Sequence, residues 1–293
     1  MQARVTMKTY LECIPCFIKQ SLEAARMATD DEGIHGDVLK EVMTHLTSLS
    51  FTHSPPEVSK DVHGIIRTIT KSKDPYKKVK DTSNTMAKEQ YPHLRKLVEE
   101  ADDPLRMAVK LAIVGNVIDF GTSNRFHVED MLDHAVKKDI DNESYQQFNK
   151  SLCDAKTILY LADNTGEIFF DKVLITELLK LGKEVTYVVR ANPIINDATR
   201  EDARFAGIDA LVPVIDGDAG QQQSAPGVVL QYASQQFLDF FESSDMVISK
   251  GQGNYEGLSN VDRDVFFLLV VKCPLVAQDI NDGIGKLILK VKK

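Results

Sequence analysis

Apolar positions keep two different periods along this chain. Up to about residue 150 they recur every three to four residues, the spacing of helices with one buried face, and they predict helices over 15–29, 36–49, 56–71, 75–101 and 104–120. Beyond residue 155 short apolar runs alternate with helical stretches. The runs "KTILYLA", "EVTYVVR", "ALVPVI", "DMVISK" and "DVFFLLVVK" predict strands over 157–162, 184–190, 210–215, 245–250 and 264–272. Helices are expected after the first strand, from "NDATREDARFAG" and over 230–243. Such alternation builds a mostly parallel sheet covered by helices. The expectation is therefore an α/β fold in two parts: a helical domain over 1–150 and an α/β domain over 151–293.

Open sheets of this kind bind ligands beyond the carboxyl ends of their strands. Three loops occupy such positions: "ADNTGE" (162–167), "RANPIINDAT" (190–199) and "SKGQGNYEGL" (249–258). In the first, Asp163 and Asn164 offer two hard oxygen donors, suited to Mg²⁺ or Mn²⁺, and the helix after Gly166 would turn free N–H groups toward an anion. An ordinary helix cap would use the same residues. In the second, Asp197 precedes a predicted helix and could bring a third oxygen to the same edge. In the third, Lys250 stands before Gly251 and Gly253, so a charge and approachable backbone N–H groups could meet a phosphate; the order of residues is not that of a Walker A loop. Acids at two strand ends weaken the capping explanation, because a cap needs only one polar atom and Ser or Thr would serve.

Composition narrows the possibilities further. The 293 residues, 43% hydrophobic and 27% charged, suit one large or two modest globular domains. No apolar run approaches the roughly 20 residues that span a bilayer, and "MQARVTMKTYLECIPC" lacks a signal-peptide core, so the expectation is a cytoplasmic protein with no membrane partner. A net charge of −8 argues against nucleic acid, where Lys and Arg must neutralise phosphates. The acid surplus lies mostly in residues 151–293, with 20 acidic against 14 basic side chains, which would suit a cation site. Cys13, Cys16, Cys153 and Cys273 are too few for a disulfide scaffold. The C-x-x-C of Cys13 and Cys16 can hold a metal or tune a thiol, or simply pack.

Taken in order, "ECIPCF" (12–17), "DPY" (74–76), "VGNVIDFG" (114–121), "ADNTGEIFFD" (162–171), "NPIINDAT" (192–199), "SKGQGNYEGL" and "VKCP" (271–274) span nearly the whole chain. Together they resemble the metal-dependent damage-control phosphatase family, long called domain of unknown function 89, and within it the stand-alone microbial branch with an N-terminal C-x-x-C. The resemblance implies an N-terminal helical part packed on a Rossmann-like three-layer α/β/α core. It implies a divalent cation (Mg, Mn, Co or Ni) held by Asp163, Asn164 and Asp197, with Lys250 at the phosphate and Asn116 and Asp119 closing the site from one helix face. Glu167 and Glu256 would orient a water or tune the metal, and Gly166, Gly251, Gly253 and Asn254 would line the substrate. The implied activity is hydrolysis of small phosphorylated metabolites, such as sugar phosphates, phosphopantetheine-like compounds or their damaged forms. Asp163 as ligand and Asp163 as nucleophile predict the same sequence. Two other classes fit less well: a methyltransferase using S-adenosylmethionine, for which the first loop has too few glycines, and a non-catalytic metal- or metabolite-binding protein acting through Cys13, Cys16 and Cys273.

Overall fold

The structure is a computed structural model and describes residues 7–116, 132, 136–220 and 224–292. Six strands form one sheet in the order β3-β2-β1-β4-β5-β6, where β1 is Thr157–Leu161, β2 Glu184–Val189, β3 Val214–Asp216, β4 Met246–Lys250, β5 Val265–Val270 and β6 Leu287–Lys292. All neighbours run parallel except β5 and β6. The chain builds outward from β1 through β2 to β3, then returns to the other side of β1 with β4. Ligand clefts of doubly wound folds open at that reversal, between the carboxyl ends of β1 and β4.

Successive side chains of a strand point to opposite faces, and both faces here are apolar. Ile158, Tyr160, Tyr187, Ile248, Phe266 and Leu268 belong to one core. Leu159, Leu161, Val188, Val247, Phe267 and Leu269 belong to the other. The first is covered by α4 (Lys77–Glu99), α5 (Pro104–Val114), α6 (Asn142–Asp154), α7 (Ile168–Lys180) and α8 (Arg200–Ala206). The second is covered by α9 (Gln235–Ser243), α10 (Gln252–Leu258) and α11 (Pro274–Ile280). The expected three-layer α/β/α core with a mostly parallel sheet is present.

Packing does not follow the change of texture near residue 150. Helices α1 (Cys13–Ala28), α2 (Glu32–Thr47) and α3 (Pro55–Thr70) share a small core of their own around Phe17, Val38, Val62 and Ile66. Helices α4 to α6, by contrast, contribute Leu94, Leu111 and Phe148 to the main sheet core.

Several boundaries depart from expectation. The 210–215 strand begins only at Val214, because Pro213 has no N–H to give a ladder. The 230–243 helix is a 3₁₀ turn over Leu230–Tyr232 followed by α9, which Ser234 caps at the Phe237 N–H. The 104–120 helix ends at Val114, so Asn116 lies in a turn; Asp119 lies outside the described residues. α6, α10, α11 and β6 were not expected from the pattern.

Candidate active site

Ala162 to Glu167 connect β1 to α7, and the neighbouring β2–α8 loop holds this segment in place. Asn164 pairs with Asp197 across an isolated bridge, the Ala198 N–H donates to the Asp163 carbonyl at 2.8 Å, and the Thr165 N–H to the Asn196 carbonyl at 2.8 Å. Gly166, at φ 74°, turns the chain and its N–H donates to Asn84 Oδ1 at 2.8 Å. Two loops from adjacent strands thus bring Asp163, Asn164 and Asp197 to one edge. Within the second loop Ile195 sits at φ 43°, a strained value for a β-branched residue, beside Pro193, whose carbonyl accepts from Arg67 of α3 at 3.1 Å.

The carboxylates here differ sharply in their partners. Asp171, one turn into α7 and fully buried, accepts from Lys250 Nζ (2.6 Å), Tyr160 (2.8 Å) and Tyr187 (2.8 Å). Glu167 accepts from the same ammonium at 2.5 Å. Burial would push the Lys250 ammonium down, but Asp171 and Glu167 outweigh it and hold the pKa above its ordinary value. Asp197 accepts from Arg190 Nε at 2.9 Å, yet burial still raises its pKa. Asp163 has no cationic ion-pair partner among the described residues. Its Oδ2 accepts from the amides of Asn116 (2.8 Å) and Asn164 (2.7 Å). Burial first, then Glu167 and Asp197, drive its pKa well above the carboxylate range, with Lys272 and Arg190 opposing.

Four carboxylates, Asp163, Glu167, Asp171 and Asp197, therefore surround two cations, Lys250 and Arg190. Buried acids short of positive charge are costly unless a proton or a metal supplies it. Among the described residues no three acidic, His or Cys side chains are grouped tightly enough to hold a metal alone. The set that fits is two carboxylates and one amide oxygen, hard donors that leave coordination positions open for water and phosphate, as Mg²⁺ and Mn²⁺ do.

Above this edge lies a cavity of about 550 Å³. Asn116, Asp163, Asn164, Asp197, Gly253 and Glu256 line it, whereas Glu167, Gly166, Lys250, Gly251 and Asn254 do not. Lys250 is enclosed beneath the surface, which corrects the expectation that its ammonium faces the cavity. Asn254 is equally buried: it ties Arg190, the Val228 N–H and the carbonyls of Ala162 and Lys250 together and so braces three loops. Gly251, at φ 77°, lies against Asp163, and a Cβ there would stand 1.9 Å from Oδ2. Gly115 has the same function for Asn116, since a Cβ would strike Phe170 at 2.8 Å and keep α5 off α7. Cys13 and Cys16 of α1 and Cys273, which stands just before α11, also line the cavity. Asp171, Arg190 and Lys272 were not singled out by sequence, though Asp171 in the apolar "IFFD" and Arg190 ending the apolar "VVR" are charges where burial was already expected.

Fold and site define a doubly wound α/β protein whose acid-rich ligand cavity opens at the switch point of its sheet, walled on the far side by N-terminal helices. The model of the damage-control phosphatase ARMT1-like domain matches residues 9–288, and the chain belongs to that family. A damage-control phosphatase of Archaeoglobus fulgidus is 32% identical, covering 95% of this chain and 97% of its own. One from Pyrococcus horikoshii is 33% identical over 96% and 97%, and an uncharacterized protein of Methanocaldococcus jannaschii is 34% identical over 95% and 93%. The crystal structure of a DUF89 family protein from Pyrococcus horikoshii superposes with a TM-score of 0.90 at 31% identity, covering 98% of this chain and all of that one.

Proposed function

We propose that the protein is a divalent-metal-dependent phosphatase of small phosphorylated metabolites, with Asp163, Asn164 and Asp197 holding the cation. The observation that carries this reading is Asp163: a buried carboxylate at the sheet's switch point, open to the cavity and with no cationic partner among the described residues. Family membership and two relatives named damage-control phosphatase support the reaction class. Bound there, a divalent cation would neutralise phosphoryl oxygens and polarise the phosphorus.

The chain's own residues supply the rest. Asn116 and Asn164 donate to the same oxygen of Asp163 and fix the carboxylate plane. Lys250 anchors Glu167, whose other oxygen also accepts from Asn116 at 3.0 Å, so the second row of the site is rigid. Glu256 lines the cavity with its carboxyl pushed by burial to about 7, so it can hold a proton for the departing alkoxide at neutral pH.

Phosphate release from a panel of phosphomonoesters by metal-stripped protein, with Mg²⁺, Mn²⁺, Co²⁺ and Ni²⁺ added back singly, tests the proposal. Metal-restored turnover should fall by about 10³-fold or more in Asp163→Ala, as expected for loss of a group that organises phosphoryl transfer. A wild type that binds metal and releases nothing from any ester would overturn it.

A further inference from the structure

Outside the cavity, a second buried polar cluster joins α4 to both loops that carry the candidate metal ligands. Lys80 and Asn84 stand four apart on α4 and so share a face, buried like their partner Asp202 of α8. Asn84 Nδ2 donates to Asp202 Oδ1 at 2.8 Å, while its Oδ1 accepts from the Gly166 N–H at 2.8 Å. The other oxygen of Asp202 accepts from the N–H (2.8 Å) and the hydroxyl (2.6 Å) of Thr199. Lys80 Nζ lies 3.8 Å from that oxygen and donates to Asp74 at 3.1 Å.

Gly166 stands two residues after Asn164, and Thr199 two residues after Asp197. One node therefore grips both acid-bearing loops just past their candidate ligands. The Gly166 N–H is held by α4 rather than turned to an anion. The bridge between Asn164 and Asp197 ties the loops to each other, whereas the node ties the pair to the helical layer. Tyr76, two residues after Asp74, is buried in the core shared by α1, α2 and α3, so the same segment also reaches the N-terminal helices.

Stability alone does not account for a polar node here. A buried ion pair contributes little beyond an apolar contact of the same size, and α4 already packs on the sheet through Ala87, Leu94 and Val98. Hydrogen bonds, unlike apolar contacts, fix both distance and direction. A small, hard cation such as Mg²⁺ demands near-ideal ligand geometry.

We propose that Asn84, Asp202 and Lys80 are positioning residues that set the placement of Asp163 and Asn164 relative to Asp197. This rests on the reading of Asp163, Asn164 and Asp197 as metal ligands of a phosphatase, and it assigns that placement to residues outside the cavity.

The test compares full-length wild type, Asn84→Ala and Leu94→Ala, a control that weakens the same helix without touching the node. Mn²⁺ titration calorimetry is run beside backbone hydrogen exchange of the metal-free proteins. In Asn84→Ala the Mn²⁺ affinity should fall by about tenfold or more, and peptides covering 162–167 and 192–199 should exchange faster. Leu94→Ala should melt at least as low and keep the wild-type values of both. Where Asn84→Ala does not fold, Thr199→Val, which removes only the hydroxyl contact to Asp202, carries the same test with a smaller loss. Wild-type Mn²⁺ affinity in the node variant, or an equal loss in Leu94→Ala, overturns the proposal. A wild type that binds no Mn²⁺ overturns it together with the metal site. Node-dependent Mn²⁺ binding in a protein that hydrolyses no ester would sink the phosphatase reading and leave the positioning role standing. A metal-activated phosphatase indifferent to Asn84→Ala would do the reverse.

Discussion

Asp163 and Asp171 lie eight positions apart, both buried, and their surroundings give them opposite tasks. Asp171 is satisfied by an ammonium and two phenols and acts as an internal strut. Asp163 has only two amides, and that deficit is what supports its proposed role as a metal ligand. Asn116 is one of those amides, so Asn116→Ala should weaken Mn²⁺ binding by about 10–100-fold, the usual cost of losing a ligand's orienting partner, and calorimetry would show it. Glu256 gives a pH prediction. Its folded pKa of about 7 exceeds the ordinary carboxyl value, so the folded state binds the extra proton and stability declines as pH rises from about 4.5 to about 7. In Glu256→Gln that decline should flatten in urea titrations, and the alkaline limb of kcat/KM near 7 should disappear. A limb that survives the substitution would remove Glu256 as proton donor. At this scale the placement of the candidate oxygen donors was legible, because Asp163, Asn164 and Asp197 follow apolar strands and so fall at one edge of a parallel sheet, where a helix cap would use the same residues. Asp171 and Arg190 were not legible, since their partners Tyr160, Tyr187 and Asn254 arrive from other strands and loops.

Helix α3 shows how an element outside the sheet bears on the site. It opens with Pro55 after Ser54, which shares a capping box with Glu57, and its Arg67 holds the Pro193 carbonyl of the strained loop that carries Asp197. One turn before Arg67, His63 is buried with Nε2 lacking any hydrogen-bond partner among the described residues. Burial, with help from Arg67, lowers its pKa to about 3. The unfolded chain therefore takes up the proton first as pH falls below about 6.5, and stability should drop by about 1.4 kcal/mol per pH unit from there toward 3. His63→Leu should abolish that component, visible as a smaller difference between urea midpoints at pH 7 and pH 5. The β4–α10 turn is equally specific. Gly251→Ala would combine a positive φ with a Cβ driven into Asp163, and should abolish metal binding while the melting temperature falls only modestly. Elements with strong apolar periods were predicted. α6 and β6 were missed because α6 places only Tyr145, Phe148 and Leu152 inward among polar residues, and β6 shows its role only through pairing with β5.

Across the whole molecule, the cavity belongs to both parts of the chain: its floor comes from the β1, β2 and β4 loops and its opposite wall from α1 and α3. Cys16 is exposed on that wall, far in sequence from Asp163. Alkylation at Cys16 should therefore block turnover without reducing Mn²⁺ affinity, and substrate should protect against it. Cys16→Ser should be active and resistant; an alkylated wild type with full activity would show that substrate does not pass this wall. By itself the sequence determined the α/β class, the strand ends that carry acids and the family. These follow from local periodicity and from residues whose chemistry is fixed wherever they stand. Only the tertiary structure decided which charges face the ligand. It buried Lys250 between Glu167 and Asp171, left Asp163 without a cation among the described residues, and set Lys272 in the open cavity. Burial and pairing are properties of surroundings assembled from distant segments, and no spacing along one chain encodes which of two lysines will meet water.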